Sequence, residues 1–179
     1  MTGLSWLNGK SWSEVTRDER TFCAELYFLA RADLPKFIGY LNDAHGADLN
    51  MSANWEIAFE AKLYRDERHF HRRGRNKSNP DHRAFDLALF SDDDILVIEA
   101  KAQQGFEAKQ LAEFQEDVDR MRGLTRVGRA RLSALVSSRY SPKSATKALF
   151  TGPYLTWREL AGLYDDNPVL RRADEVYGR

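Results

Sequence analysis

Apolar and polar positions alternate along the chain in two periods, and together they predict short helices and strands. Phe22, Leu26 and Leu29 recur at helical spacing, and Thr16 with Glu19 has the spacing of a capping box, so a helix is expected to begin near Thr16. Pro35 breaks it, and a second helical piece runs through residues 37–41. Residues 55–64 set Trp55, Ile57 and Phe59 against Glu56, Glu60 and Lys62, the period of two of a strand. Residues 65–83 are polar, carry Gly74, Asn76, Asn79 and Pro80, and read as a long loop or hairpin tip.

Two apolar runs follow, at residues 84–90 and 95–101. Ser91-Asp92-Asp93-Asp94 separates them, which predicts an antiparallel hairpin. After Gly105, the residues Leu111, Phe114, Val118 and Met121 form the apolar stripe of a helix. Residues 129–138 read as a strand that, with a helix before it, should pair parallel to a strand of the hairpin. Residues 149–155 are a less pronounced strand. Thr156 and Glu159 have capping-box spacing and open a short helix through Tyr164, with Trp157 and Tyr164 expected in the core. Asn167 and Pro168 fit the N-cap and first position of a last helix reaching Tyr177. The order helix, strand, strand, strand, helix, strand predicts an α/β fold, a mixed sheet flanked by helices. At 179 residues the chain has room for one core, expected over residues 16–138 with a C-terminal extension at 139–179.

Composition narrows the function classes. No apolar run approaches the roughly 20 residues that span a bilayer, and the first ten residues lack the pattern of a secretory signal. Cys23 is the single cysteine, so an intrachain disulfide and a cysteine zinc cluster are excluded. Its apolar neighbours suggest a small buried residue, and the expected compartment is cytoplasmic. Net charge is zero, which alone argues against a polyanion partner. The charges are segregated, however. Residues 62–83 are strongly basic, with His69, His71 and His82 among the arginines, and residues 120–143 contain basic side chains and no acid. Two basic stretches favour a polyanion, because phosphates meet a face and not an average. His69 and His71 fit phosphate contact or solvation better than metal binding.

The hairpin carries the chemistry. Alternation places Asp86, Ala88 and Phe90 on one face of the first strand, with Phe85, Leu87 and Leu89 on the other. Ile95, Val97, Glu99 and Lys101 share a face of the second. If the four-residue loop leaves Phe90 opposite Ile95, Asp86 falls across from Glu99, Ala88 from Val97, and Leu87 from Ile98. Opposed side chains of that kind have Cβ atoms about 4.5–5.5 Å apart. Two carboxylates so placed in apolar strands repel unless a divalent cation offsets them, and Mg²⁺ is commonly held by one or two carboxylates plus a substrate phosphate. Lys101, two residues beyond Glu99, would reach the same pocket to orient water or stabilise a phosphorane. The plainer reading makes all three ordinary charged residues at strand ends.

The segments Arg83-Ala-Phe-Asp86 and Ile95-Leu-Val-Ile-Glu99-Ala-Lys101-Ala-Gln-Gln resemble the second and third core strands of PD-(D/E)xK nucleases. Phe85 stands where the founding motif has proline. The resemblance covers residues 16–138 and implies the restriction-endonuclease-like fold, with an α-β-β-β-α-β core. It implies a Mg²⁺- or Mn²⁺-dependent hydrolase acting on DNA, with RNA not excluded, in repair, recombination or defence. Asp86, Glu99 and Lys101 would be catalytic. The metal would be held by Asp86, Glu99, the Ala100 carbonyl, and Glu19 or Glu25 of the first helix, with Glu19 preferred. Gln110, four before Phe114, is similar to a Gln-x-x-x-aromatic pattern of exonuclease-like members. Arg72, Arg73, Arg75, Lys77, Arg83, Gln103, Gln110, Arg129 and Arg131 would contact nucleic acid. Small members of the family commonly pair, which leaves room for a homodimer. The alternatives are a catalytically silent or partner-dependent nucleic-acid-binding member of the same fold, and an unrelated α/β protein with structural charges.

Overall fold

In the computed structural model, which describes residues 3–74 and 80–178, the chain opens with a 3-10 turn at Ser5–Leu7 and a one-turn helix α1 (Trp12–Val15). Ser11 and Glu14 form a capping box on α1, the Ser11 N–H donating to Glu14 Oε2 at 2.7 Å. Helix α2 (Glu19–Ala32) starts behind Asp18, whose carboxylate accepts the Thr21 N–H at 3.2 Å. The capping box expected from Thr16 and Glu19 therefore does not form. Thr16 ends α1 and accepts the Asp18 N–H through its hydroxyl, and Asp18 takes the cap, which leaves the Glu19 carboxylate to point elsewhere. Helix α3 (Leu34–His45) has Asp33 as N-cap, Pro35 in its first turn and Gly46 at φ 59° closing it.

The remaining elements are β1 (Glu56–Ala61), α4 (Leu63–Phe70), β2 (Phe85–Phe90), β3 (Asp94–Ala100), α5 (Ala108–Thr125), β4 (Arg129–Val136), α6 (Ser144–Lys147), β5 (Tyr154–Thr156), α7 (Trp157–Leu163) and α8 (Pro168–Glu175). Helix α4 corrects the loop expected after residue 64. Its middle, residues 65–69, is charged, its apolar residues Leu63, Tyr64 and Phe70 lie at its ends, and only Tyr64 is buried. Tertiary packing therefore fixes this helix: the Tyr64 ring lies 6.0 Å from Phe85, and its hydroxyl donates to Asp117 at 2.7 Å. In α5, Phe114, Val118 and Met121 are buried as expected, while the Leu111 side chain lies outside the described set. No helix among the described residues is long and apolar enough to cross a membrane.

The five strands form one mixed sheet in the order β1-β2-β3-β4-β5. β1, β2 and β3 pair antiparallel, whereas β3, β4 and β5 pair parallel. The β2–β3 register is Phe90↔Ile95, Ala88↔Val97 and Leu87↔Ile98, as the four-residue connection implies. Every residue of β3 is buried, the near-continuous apolar pattern of a central strand. α5 makes the crossover that parallel pairing of β3 with β4 requires.

Helices cover both faces. Residues of α2, α3, α7 and α8 pack on Leu87, Leu89, Leu96 and Ile98, and residues of α4 and α5 pack on Ala88, Ile95 and Val97. Phe85 joins the second face and not that of Leu87 and Leu89, contrary to simple alternation. In the adjacent strand Glu60 adopts φ 48°, and the ladder passes over it from Phe59↔Leu87 to Ala61↔Phe85 without a change of register. The segment after residue 138 is integral to the core: β5 extends the sheet, and Trp157, the largest fully buried side chain, packs edge-on to Phe22 at 6.1 Å. Asn167 caps α8 through Val169 and Leu170, and Thr156 caps α7 through Glu159.

Candidate active site at one end of the sheet

β1 and β3 run in the same direction and β2 runs against them, so the end of β3 and the start of β2 lie at one end of the sheet. Asp86 and Glu99 meet there. Asp86 Oδ2 accepts the Ala100 N–H at 2.7 Å, which ties its carboxylate to the strand edge beside Glu99. Lys101 follows, its own N–H donated to Leu135 O at 2.7 Å and its carbonyl accepting the Trp157 indole N–H at 3.1 Å. β4 and the buried indole of α7 thus fix the lysine's backbone.

Glu99 is buried yet only half satisfied. Its Oε1 accepts from Arg83 Nη1 at 3.3 Å and from Gln110 Nε2 at 3.2 Å. Its Oε2 is buried with no hydrogen-bond partner among the described residues. Burial, then the Asp86 charge, raise the Glu99 carboxyl to about 7, with Arg83 and Lys101 opposing. The Asp86 carboxyl is also raised, chiefly by burial, although the Ala100 N–H and Lys101 favour its ionised form. A carboxylate oxygen with no donor in a low-dielectric site is costly. Arg83 Nη2 in this site and Asp94 Oδ1 elsewhere are likewise buried without a partner among the described residues, so the Glu99 oxygen carries weight only together with the neighbouring Asp86 charge.

Glu19 and Glu25 separate cleanly. Glu19 Oε2 accepts the Ala102 N–H at 2.7 Å, and its Oε1 lies 3.4 Å from Lys101 Nζ. Its charge is among those raising the Asp86 carboxyl. Glu25 instead accepts from Asn167 Nδ2 at 3.0 Å, at the start of α8. Cys23, one helical turn beyond Glu19, is buried, and its thiol is pushed well above its usual value by burial and then by Asp86 and Glu19.

Arg83 is the residue whose position departs most from the expectation of a phosphate contact. Its guanidinium is mostly buried, stacked 4.7 Å from the Phe85 centroid and 5.4 Å from that of Phe114. Nε donates to Asp117 Oδ2 at 2.9 Å while Nη1 reaches Glu99. Asp117 is itself buried and accepts the Tyr64 hydroxyl through Oδ1. Asp117 was not among the expected site residues. The signal for it is its place on α5: three residues after Phe114 and four before Met121, an acid on the buried stripe must have a partner.

The other residues expected at nucleic acid scatter. Gln110 lies in the site, and Gln103 is exposed beside it with Nε2 on Arg17 O at 2.8 Å. Arg72 and Arg73 are exposed after α4, Arg73 pairing with Glu67 at 2.7 Å. Arg75 and Lys77 lie outside the described residues. Arg129 and Arg131 sit at the start of β4, opposite Asp94 and Leu96, at the far end of the strands from Glu99. Both engage the buried Asp94, at 3.0 and 2.6 Å. They belong to a structural charge cluster and not to this site.

Among the described residues no group of three or more His, Cys, Asp or Glu side chains is gathered closely enough to hold a metal ion as placed. Comparison of the chain with known protein families, with curated proteins and with solved structures finds no match.

Proposed function

We propose that this chain is a metal-dependent nuclease of the PD-(D/E)xK type, with a restriction-endonuclease-like fold, that hydrolyses phosphodiester bonds in DNA. The observation that carries this reading is the Asp86–Glu99 pair on neighbouring strands, with Glu99 Oε2 buried and without a partner among the described residues, and Lys101 two residues on. The donor set fits a hard divalent cation, Mg²⁺ or Mn²⁺: Asp86, Glu99 and the Ala100 carbonyl would hold it, with Glu19 in reach of the same charges. Such an ion supplies charge withdrawal from the phosphate and acidifies a water.

The protein's own residues divide the remaining work. Gln110 and Arg83 hold one oxygen of Glu99, so the carboxylate cannot turn freely. The Lys101 ammonium, held by Glu19 at 3.4 Å, is placed to donate to a non-bridging phosphate oxygen as charge builds there. Burial of the pair keeps water from competing for these contacts. The exposed Arg72, Arg73 and Gln103 give the backbone of a nucleic acid a place to lie.

The test is cleavage of supercoiled plasmid, linear duplex, single-stranded DNA and RNA with Mg²⁺, Mn²⁺ or EDTA, with Lys101→Ala alongside. Metal-dependent cleavage that falls by about a hundredfold or more in the variant supports the reading. A mobility shift without cleavage, under every metal, would replace it with a nucleic-acid-binding role.

A further inference from the structure

Arg83 stands between two buried carboxylates, 3.3 Å from Glu99 Oε1 and 2.9 Å from Asp117 Oδ2. Its guanidinium carbon lies over the rings of both Phe85 and Phe114, so it has little freedom to swing toward bulk solvent. Asp117 is held in turn by the Tyr64 hydroxyl at 2.7 Å, and Arg120 lies 3.7 Å away. The chain Tyr64–Asp117–Arg83–Glu99 thus runs from the α4 helix through α5 to the end of β3.

Resting on the nuclease reading, we infer that Arg83 and Asp117 form a positioning pair that holds Glu99 for a divalent cation. Two features require both members. Arg83 and Gln110 both donate to Oε1, which restrains the carboxylate and presents Oε2, which has no partner among the described residues, as its free acceptor. A cation this close to a metal ligand would, by itself, neutralise Glu99 and repel the metal. Asp117 removes that conflict by matching the Arg83 charge, so the pair acts on Glu99 as a neutral hydrogen-bond donor and the Glu99 charge stays available. The same placement removes Arg83 from the residues that touch phosphate.

The distinguishing variant is Asp117→Asn, which keeps shape and one hydrogen bond but leaves the Arg83 charge unmatched. Mn²⁺ binding is read by calorimetry on the metal-free protein, without nucleic acid, for wild type, Asp117→Asn, Arg83→Lys and the double variant Arg83→Gln/Asp117→Asn. Asp117→Asn is expected to weaken Mn²⁺ by about tenfold or more, and the neutral double variant to recover part of that loss. Arg83→Lys, which lacks the planar fork that reaches Asp117 through Nε and Glu99 through Nη1, is expected to weaken Mn²⁺ as well, and it decides the matter if Asp117→Asn fails to fold. Wild-type affinity in Asp117→Asn, or in Arg83→Lys where that variant decides, overturns the inference while leaving the nuclease reading standing. Absence of Mn²⁺ binding by the wild type overturns the inference, and the nuclease reading falls with it only if metal-dependent cleavage is absent as well.

Discussion

Asp86 reaches across from the start of β2 and accepts the Ala100 N–H at 2.7 Å, so its carboxylate is anchored to the strand that carries Glu99. The two acids are therefore unequal. Asp86 has a backbone donor that favours its ionised form, whereas one Glu99 oxygen has no partner among the described residues. This asymmetry decides which of them governs the protein's response to pH.

The Glu99 carboxyl, raised from 4.5 to about 7 by burial and by Asp86, binds a proton more tightly folded than unfolded. Stability therefore falls as pH rises from about 4.5 to about 7, and the penalty is complete above that range. Its size is at most about 3 kcal/mol. Glu99→Gln is expected to flatten this slope and to raise the metal-free unfolding temperature at pH 8. The same variant should lose any stabilisation by millimolar Mg²⁺ that the wild type shows. Thermal unfolding across pH, with and without Mg²⁺, checks both; an unchanged slope in Glu99→Gln would exclude Glu99 as its source.

Glu19 and Glu25 lie on the same helix but face different partners, and their amides should behave differently. Glu19→Gln weakens the hold on Lys101 Nζ and changes the charge at Asp86, so a rise in the Mg²⁺ concentration needed for cleavage is expected. Glu25→Gln alters the Asn167 contact and should cost about 1 kcal/mol of stability with cleavage intact. Titrating Mg²⁺ against cleavage rate in both variants separates the two roles, and equal behaviour would count against Glu19 in the site.

Trp157 links the core to the site through one hydrogen bond, its indole N–H on Lys101 O at 3.1 Å. Trp157→Phe keeps most of the packing and removes that donor, with an expected loss of about 1–2 kcal/mol. Trp157→Ala should cost about 3–5 kcal/mol, because the ring is fully buried. Denaturant unfolding measures both, and a neutral Trp157→Phe would mean that the Lys101 carbonyl needs no partner there.

The hairpin register was legible because a connection of fixed length leaves one way to match two apolar runs. The pairing runs from Phe90↔Ile95 to Leu87↔Ile98, and beyond it the Asp86 carboxylate reaches the Ala100 N–H beside Glu99. Less could be read where tertiary contacts choose the structure. α4 carries a charged run at residues 65–69 that gives no apolar stripe, and its helix depends on Tyr64 meeting Phe85 and Asp117. Glu19 has capping-box spacing from Thr16, but Asp18, one residue nearer, takes the cap and releases Glu19 toward Ala102. Arg83 looked like one more arginine of a basic stretch. Its burial follows from an acid on a helix that begins 25 residues later in the chain, a pairing no local pattern encodes.

The arginines themselves supply the last prediction, because the fold splits them into two kinds. Arg129 and Arg131 converge on Asp94, a buried acid at the start of β3, far along the strands from Glu99. Arg131→Ala leaves that acid with one partner and should cost about 1–3 kcal/mol of stability. It should leave the salt dependence of DNA binding unchanged, since Arg131 contacts no phosphate in this arrangement. Arg72 and Arg73 are exposed after α4, and replacing one of them by Ala should reduce the slope of log affinity against log salt by about 1. Arg73 must give up its Glu67 pair to reach a phosphate, so its effect should be the smaller of the two. Fluorescence anisotropy with a labelled duplex over a salt series, using Ca²⁺ to prevent cleavage, resolves the two classes. A lowered slope for Arg131→Ala would move the nucleic acid to the far end of the sheet and away from Asp86 and Glu99.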